Sequence, residues 1–125
     1  MLYDRSLPAE PANVGTLRRE LNGALAPVEI GKQRRSDISL VVSEALTNAA
    51  VHAYVGMATG PVAVNATLSG LSLRITVRDR GRGMIPRTDS PGLGLGVGLL
   101  GRLSDVLEIS SPDGDGTEIC VRFNL

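Results

Sequence analysis

The stretch Val62-Ala-Val-Asn-Ala-Thr-Leu-Ser-Gly-Leu-Ser-Leu-Arg-Ile-Thr-Val-Arg-Asp79 decides the fold class. Val62, Val64, Ala66 and Leu68 share one side of an extended chain. Leu71, Leu73, Ile75 and Val77 do the same, with Ser72, Arg74, Thr76 and Arg78 opposite. Successive side chains of a strand point to opposite faces, so this alternation predicts two half-buried strands joined by a tight turn at Ser69-Gly70. A second strand pair is predicted over about 106–111 and 117–123, around the turn Pro112-Asp-Gly-Asp-Gly116.

Upstream the period changes. Val14, Leu17, Leu21, Ala24 and Leu25 recur at helical spacing, predicting a helix over 11–26 that Pro11 opens and Pro27 stops. Gly31 to Arg35 reads as a basic turn, after which Ser36 or Asp37 can cap a second helix running to Tyr54. Residues 2–7 suit a short edge strand, and a third helix is expected over 96–105. The order β-α-α-β-β-α-β-β, with hairpins and segregated helices, indicates an α+β fold. A mostly antiparallel sheet would be covered on one face.

Composition narrows the function classes. The 125 residues suit one domain, 1–125, with thirteen basic residues balancing thirteen acidic ones. A neutral chain lacks the basic surplus that non-specific nucleic-acid or anionic-membrane binding needs. No apolar run approaches the ~18–20 residues of a membrane span, and nothing near Met1 resembles a signal peptide, so a cytoplasmic location is expected. One cysteine, Cys120, and one histidine, His52, exclude a Cys/His zinc site within one chain. Cys120 reads as a buried small hydrophobe.

Three places could carry chemistry. In the second helix, Glu44, Asn48 and His52 interrupt an apolar sequence at spacing four, which places them on one stripe flanked by Ser43 and Thr47. Solvated stripes usually carry long charged side chains, whereas these are short polar types that place hydrogen bonds. Asp79 continues the inward register of its strand and needs a donor, from Arg80, Arg82, loop amides or a ligand amine. Thr117 is in phase with Ile119, Val121 and Phe123, so its hydroxyl also starts inward. Seven of fifteen glycines fall between Gly81 and Gly101, spaced by apolar residues, and glycines opening a helix offer free amides to phosphate. Gly96-Val-Gly98-Leu-Leu-Gly101 follows no strand, so a dinucleotide fold does not fit, and the single lysine, Lys32, is not placed for a Walker A loop.

Together these segments resemble the Bergerat-fold ATPases, the superfamily of gyrase, histidine kinases and MutL. Glu44-Ala-Leu-Thr-Asn48-Ala-Ala-Val-His52 looks like the N-box. Asp79-Arg-Gly81-Arg-Gly83 looks like the first glycine box, Gly94-Leu-Gly96 like the second, and Gly116-Thr117 like the final G-T element. Within the superfamily, Ser-Glu-Ala-Leu-Thr-Asn-Ala and Leu103-Ser-Asp-Val106 resemble the bacterial anti-sigma factor serine/threonine kinases over nearly the whole chain.

The resemblance implies a two-layer α/β sandwich that binds ATP and Mg²⁺. Asn48 would offer its side-chain oxygen to the metal. Asp79, supported by Thr117, would accept from the adenine amine, and Gly81 and Gly83 would let the base approach. Gly94, Gly96 and the following amides would hold phosphates, with Gly116 completing the last element. Glu44 would act as general base on a substrate serine. The implied partners are an anti-anti-sigma protein with a STAS domain and a sigma factor, and family members are commonly homodimers. The alternatives are a non-catalytic ATP- or ADP-gated binding module and a detached histidine-kinase catalytic domain. Only ten residues, Met84 to Leu93, separate the two glycine boxes, and Gly92-Leu93 stand where kinase members often carry a basic residue.

Overall fold

The computed structural model describes residues 1–82, 98–111 and 115–125. Its strands are β1 (Tyr3–Pro8), β2 (Pro61–Ser69), β3 (Ser72–Asp79), β4 (Val106–Ser110) and β5 (Thr117–Asn124). They form one sheet in the order β1-β2-β3-β5-β4, with every pairing antiparallel. The helices are α1 (Pro11–Leu25) and α2 (Lys32–Asn48), the latter running on through a π-helical turn at Ala49–Ala53. Residues 98–103 are also helical. This is the expected α+β architecture and element order.

One face of the sheet carries Val62, Val64 and Ala66 of β2, Leu73, Ile75 and Val77 of β3, and Ile119, Val121 and Phe123 of β5. Leu17, Leu21 and Leu25 of α1 and Ile38, Val41, Val42, Ala45 and Leu46 of α2 join them in one core. Full burial of one such aliphatic side chain contributes about 1.5–3 kcal/mol, so the α2 stripe alone outweighs the helix's lack of a side-chain N-cap. The opposite register positions carry Arg74, Thr76 and Arg78. Cys120 is on that side too, buried, with its Sγ 3.1 Å from the Arg74 Nε that donates to it.

Three local expectations shift. The helix begins at Lys32, so the basic segment is its first turn rather than a loop, and neither Ser36 nor Asp37 caps it. The arginines there serve their neighbours. Arg35 donates to the carbonyls of Leu25, at the end of α1, and Val28, and Arg34 donates to Leu103 O and to Asp105 Oδ2 at 3.0 Å. The hairpin turn is Gly70-Leu71, because Ser69 pairs with Ser72 and Gly70 adopts φ +59°. Leu71 is therefore 75% exposed instead of continuing the buried row. Finally, the π-helical turn interrupts the spacing-four stripe. Asn48 is buried, Glu44 half-buried and His52 exposed.

Candidate nucleotide-binding site

The end of β3, the start of β5 and the end of the α2 segment converge. Asp79 and Thr117 pair across β3 and β5, and both are buried on the helix-covered side. The Asp79 carboxylate accepts the Gly81 N–H at Oδ1, 2.9 Å away, and the main-chain N–H of Thr117. Its donors are therefore loop and strand amides, not Arg80 or Arg82. Burial pushes the Asp79 carboxyl above its ordinary range, and the two amides oppose that shift.

The chain after Asp79 is pressed onto the helix end. Arg82 N–H donates to Ala53 O at 2.8 Å, and Arg80 N–H donates to the Tyr54 hydroxyl at 2.8 Å. A Cβ on Gly81 would stand 2.0 Å from Ala53 O, so only glycine allows this approach. Gly116 N–H donates to Gly81 O at 3.0 Å. Gly116 has φ +70°, and a Cβ there would meet Asp79 O at 2.2 Å. Two of the motif glycines thus exist for backbone-to-backbone contact around the Asp79 carboxylate.

On the helix, Asn48 is 8% exposed and its Nδ2 has no hydrogen-bond partner, the one buried side-chain polar atom so placed among the described residues. A buried orphan of this kind costs about 1–3 kcal/mol and calls for a partner beyond the described residues. A side-chain amide can offer its N–H to a phosphate oxygen and its carbonyl to a cation, so Asn48 fits a metal-nucleotide group. Glu44 precedes Asn48 by one turn of regular α-helix and so shares its side of α2.

The structure thus brings Asp79, Gly81, Gly116 and Thr117 into one cluster and docks it on the segment that carries Glu44 and Asn48. Gly83, Gly94 and Gly96 lie outside the described residues. Ala53, Tyr54 and Gly60 join the site from outside the sequence motifs. Tyr54 carries one signal in the sequence, as one of three aromatics in the chain.

Residues 7–123 match the family model described as the histidine kinase-like ATPase domain. The anti-sigma F factors of Bacillus thuringiensis (strain Al Hakam) and Bacillus anthracis (strain A0248) are each 31% identical over 106 residues, which is 76% of this chain and 73% of theirs. The chain belongs to the anti-sigma factor family of histidine kinase-like ATPase domains.

Solved structures agree on the fold of this family member. The histidine kinase domain of the Erythrobacter litoralis EL346 blue-light activated histidine kinase superimposes with TM-score 0.69 at 29% identity, covering 95% of this chain and 62% of that one. The RsbU and RsbW domains of Rv1364c from Mycobacterium tuberculosis give TM-score 0.76 at 24% identity, covering 98% of this chain and 32% of that one. The chain therefore spans less than two thirds of each of these two solved proteins. Its family is one of ATP-binding domains, and the described cluster lies where the segments that resemble the N-box, the first glycine box and the G-T element meet. Among the described residues no helix is long and apolar enough to cross a membrane.

Proposed function

We propose that residues 1–125 act as one ATP-binding domain with serine/threonine protein kinase activity of the anti-sigma type. It would phosphorylate a serine of an anti-anti-sigma partner with a STAS domain and regulate a sigma factor. The observation that carries the nucleotide part is the Asp79 carboxylate. It is buried, accepts the main-chain amides of Gly81 and Thr117, and has acceptor capacity left for an exocyclic amine.

In this proposal Asp79 accepts from the adenine amine, Thr117 closes the pocket beside it, and Gly81 and Gly83 keep the walls free of side chains. Gly94, Gly96 and the amides after them hold the phosphates, and Gly116 keeps the last strand against the first glycine box. Asn48 holds Mg²⁺ through its carbonyl oxygen, and the ion when bound neutralises phosphate charge. Glu44 takes the proton of the substrate serine as its oxygen bonds to the γ-phosphorus and the bond to the β–γ bridging oxygen breaks. Phosphoryl transfer asks mainly for positioning and charge stabilisation, so this short set of groups suffices.

The test is incubation of the protein with labelled ATP, Mg²⁺ and candidate STAS-domain proteins, followed by mapping of the labelled residue. A labelled serine on the partner is the expected result. Transfer to no partner, with ATP still changing partner affinity, would replace the kinase by a nucleotide-gated binding module.

A further inference from the structure

Tyr54 belongs to none of the motifs, yet it joins three segments. Its hydroxyl donates to Pro61 O at 2.6 Å, at the start of β2, and accepts the Arg80 N–H at 2.8 Å, one residue beyond Asp79. It follows directly on the π-helical turn, whose last residue, Ala53, accepts the Arg82 N–H. The ring lies against Gly60, where a Cβ would stand 2.7–2.9 Å from the ring and hydroxyl atoms, so the absence of a side chain there leaves the ring its place. Burial raises the phenol's pKa, so the hydroxyl stays neutral at physiological pH, the state in which it can donate and accept at once. Packing alone would ask only for a phenyl ring. The oxygen has a separate task.

We infer that Tyr54 is a positioning residue for base recognition: its hydroxyl pins the main chain at Arg80 to the end of the Asn48 helix segment and thereby sets where the Asp79 carboxylate meets the base. Arg80 and Arg82 alternate with Gly81, so hydrogen bonds at both flanks hold Gly81 against Ala53 O, and Gly81 in turn donates to Asp79. Loss of the phenol oxygen frees the first flank. The inference rests on the proposed role of Asp79 and adds to it the group that orients that carboxylate.

The experiment compares wild type, Tyr54→Phe and Asp79→Asn in binding ATP, inosine triphosphate and inorganic triphosphate. Inosine triphosphate carries a carbonyl in place of the exocyclic amine. Tyr54→Phe should weaken ATP binding about five- to tenfold, the net worth of one hydrogen bond, and leave inosine and inorganic triphosphate within about twofold. Its preference for ATP over inosine triphosphate falls accordingly. Hydrogen exchange at the Arg80 amide should quicken while Ile75 and Val77 keep their protection. Gly60→Ala, which displaces the ring by a different route, should lower the same ratio. An unchanged ratio in folded Tyr54→Phe, with only a lower melting temperature, would reduce Tyr54 to a structural residue and overturn the inference. If Asp79→Asn itself leaves the ratio unchanged, the base-binding role of Asp79 fails, and the inference with it. A drop in Asp79→Asn without one in Tyr54→Phe overturns the inference alone.

Discussion

The carbonyl oxygen of Ala53 stands 2.0 Å from where a side chain on Gly81 would begin. The backbone at Gly81 is therefore shaped by the helix end. Gly81→Ala must push main chain against main chain, and neither side is a flexible side chain that can yield. The expected cost is about 1–3 kcal/mol of stability, with loss of ATP binding in the fraction that still folds. Urea unfolding and calorimetry with ATP check both parts, and a fully stable variant with wild-type affinity would contradict the geometry.

Asp79→Asn keeps the size of the side chain but turns one acceptor into a donor, which in the proposed site would face the adenine amine. Loss of a charged hydrogen bond should weaken ATP binding by about 1.5–3 kcal/mol, roughly ten- to a hundredfold. Calorimetry that finds unchanged affinity would remove Asp79 from the base site.

The same carboxyl gives the ligand-free protein a pH signature. Its folded pKa is raised above the ordinary 3.8, with burial as the largest cause. Between the two values the folded state binds more protons than the unfolded chain, so stability falls as pH rises through that window. Wild type should thus lose stability relative to Asp79→Asn from about pH 4 upward. Urea midpoints for both proteins across this range test the sign, and a rising difference in favour of wild type would refute it.

Asn48 separates metal binding from packing. Its Nδ2 has no partner among the described residues, a cost to the ligand-free fold, so Asn48→Ala should melt no lower than wild type while losing Mg²⁺-dependent ATP binding. Metal-free ADP binding should stay closer to normal. Equal losses with and without Mg²⁺ would mark Asn48 as a packing residue.

Glu44→Gln addresses the chemistry. If Glu44 is the base, ATP affinity should stay within a few-fold while transfer to the partner slows by about 10²–10⁴. Single-turnover transfer measured beside equilibrium binding distinguishes the two effects. A variant that transfers phosphate at the wild-type rate would exclude Glu44 as base.

By itself the sequence determined the α+β class, the strand faces and the inward placement of Asp79 and Thr117. Each of these follows from a period of two or 3.6 that every residue in the segment repeats. The candidate site residues could be picked out for the same local reason, since each lies within a short motif. Tertiary structure alone decided where α2 begins, because Arg34 and Arg35 find their acceptors at Asp105, Leu103, Leu25 and Val28, distant or outside the helix they open. It decided that Leu71 leaves the sheet, because pairing of Ser69 with Ser72 sets the loop at two residues. The π-helical turn that moves His52 out of line with Asn48 and sets Ala53 O and the Tyr54 hydroxyl against residues 80–82 was likewise invisible in the sequence. Spacing along one helix cannot register it, because the partners that fix it lie on the end of a strand nearly thirty residues away.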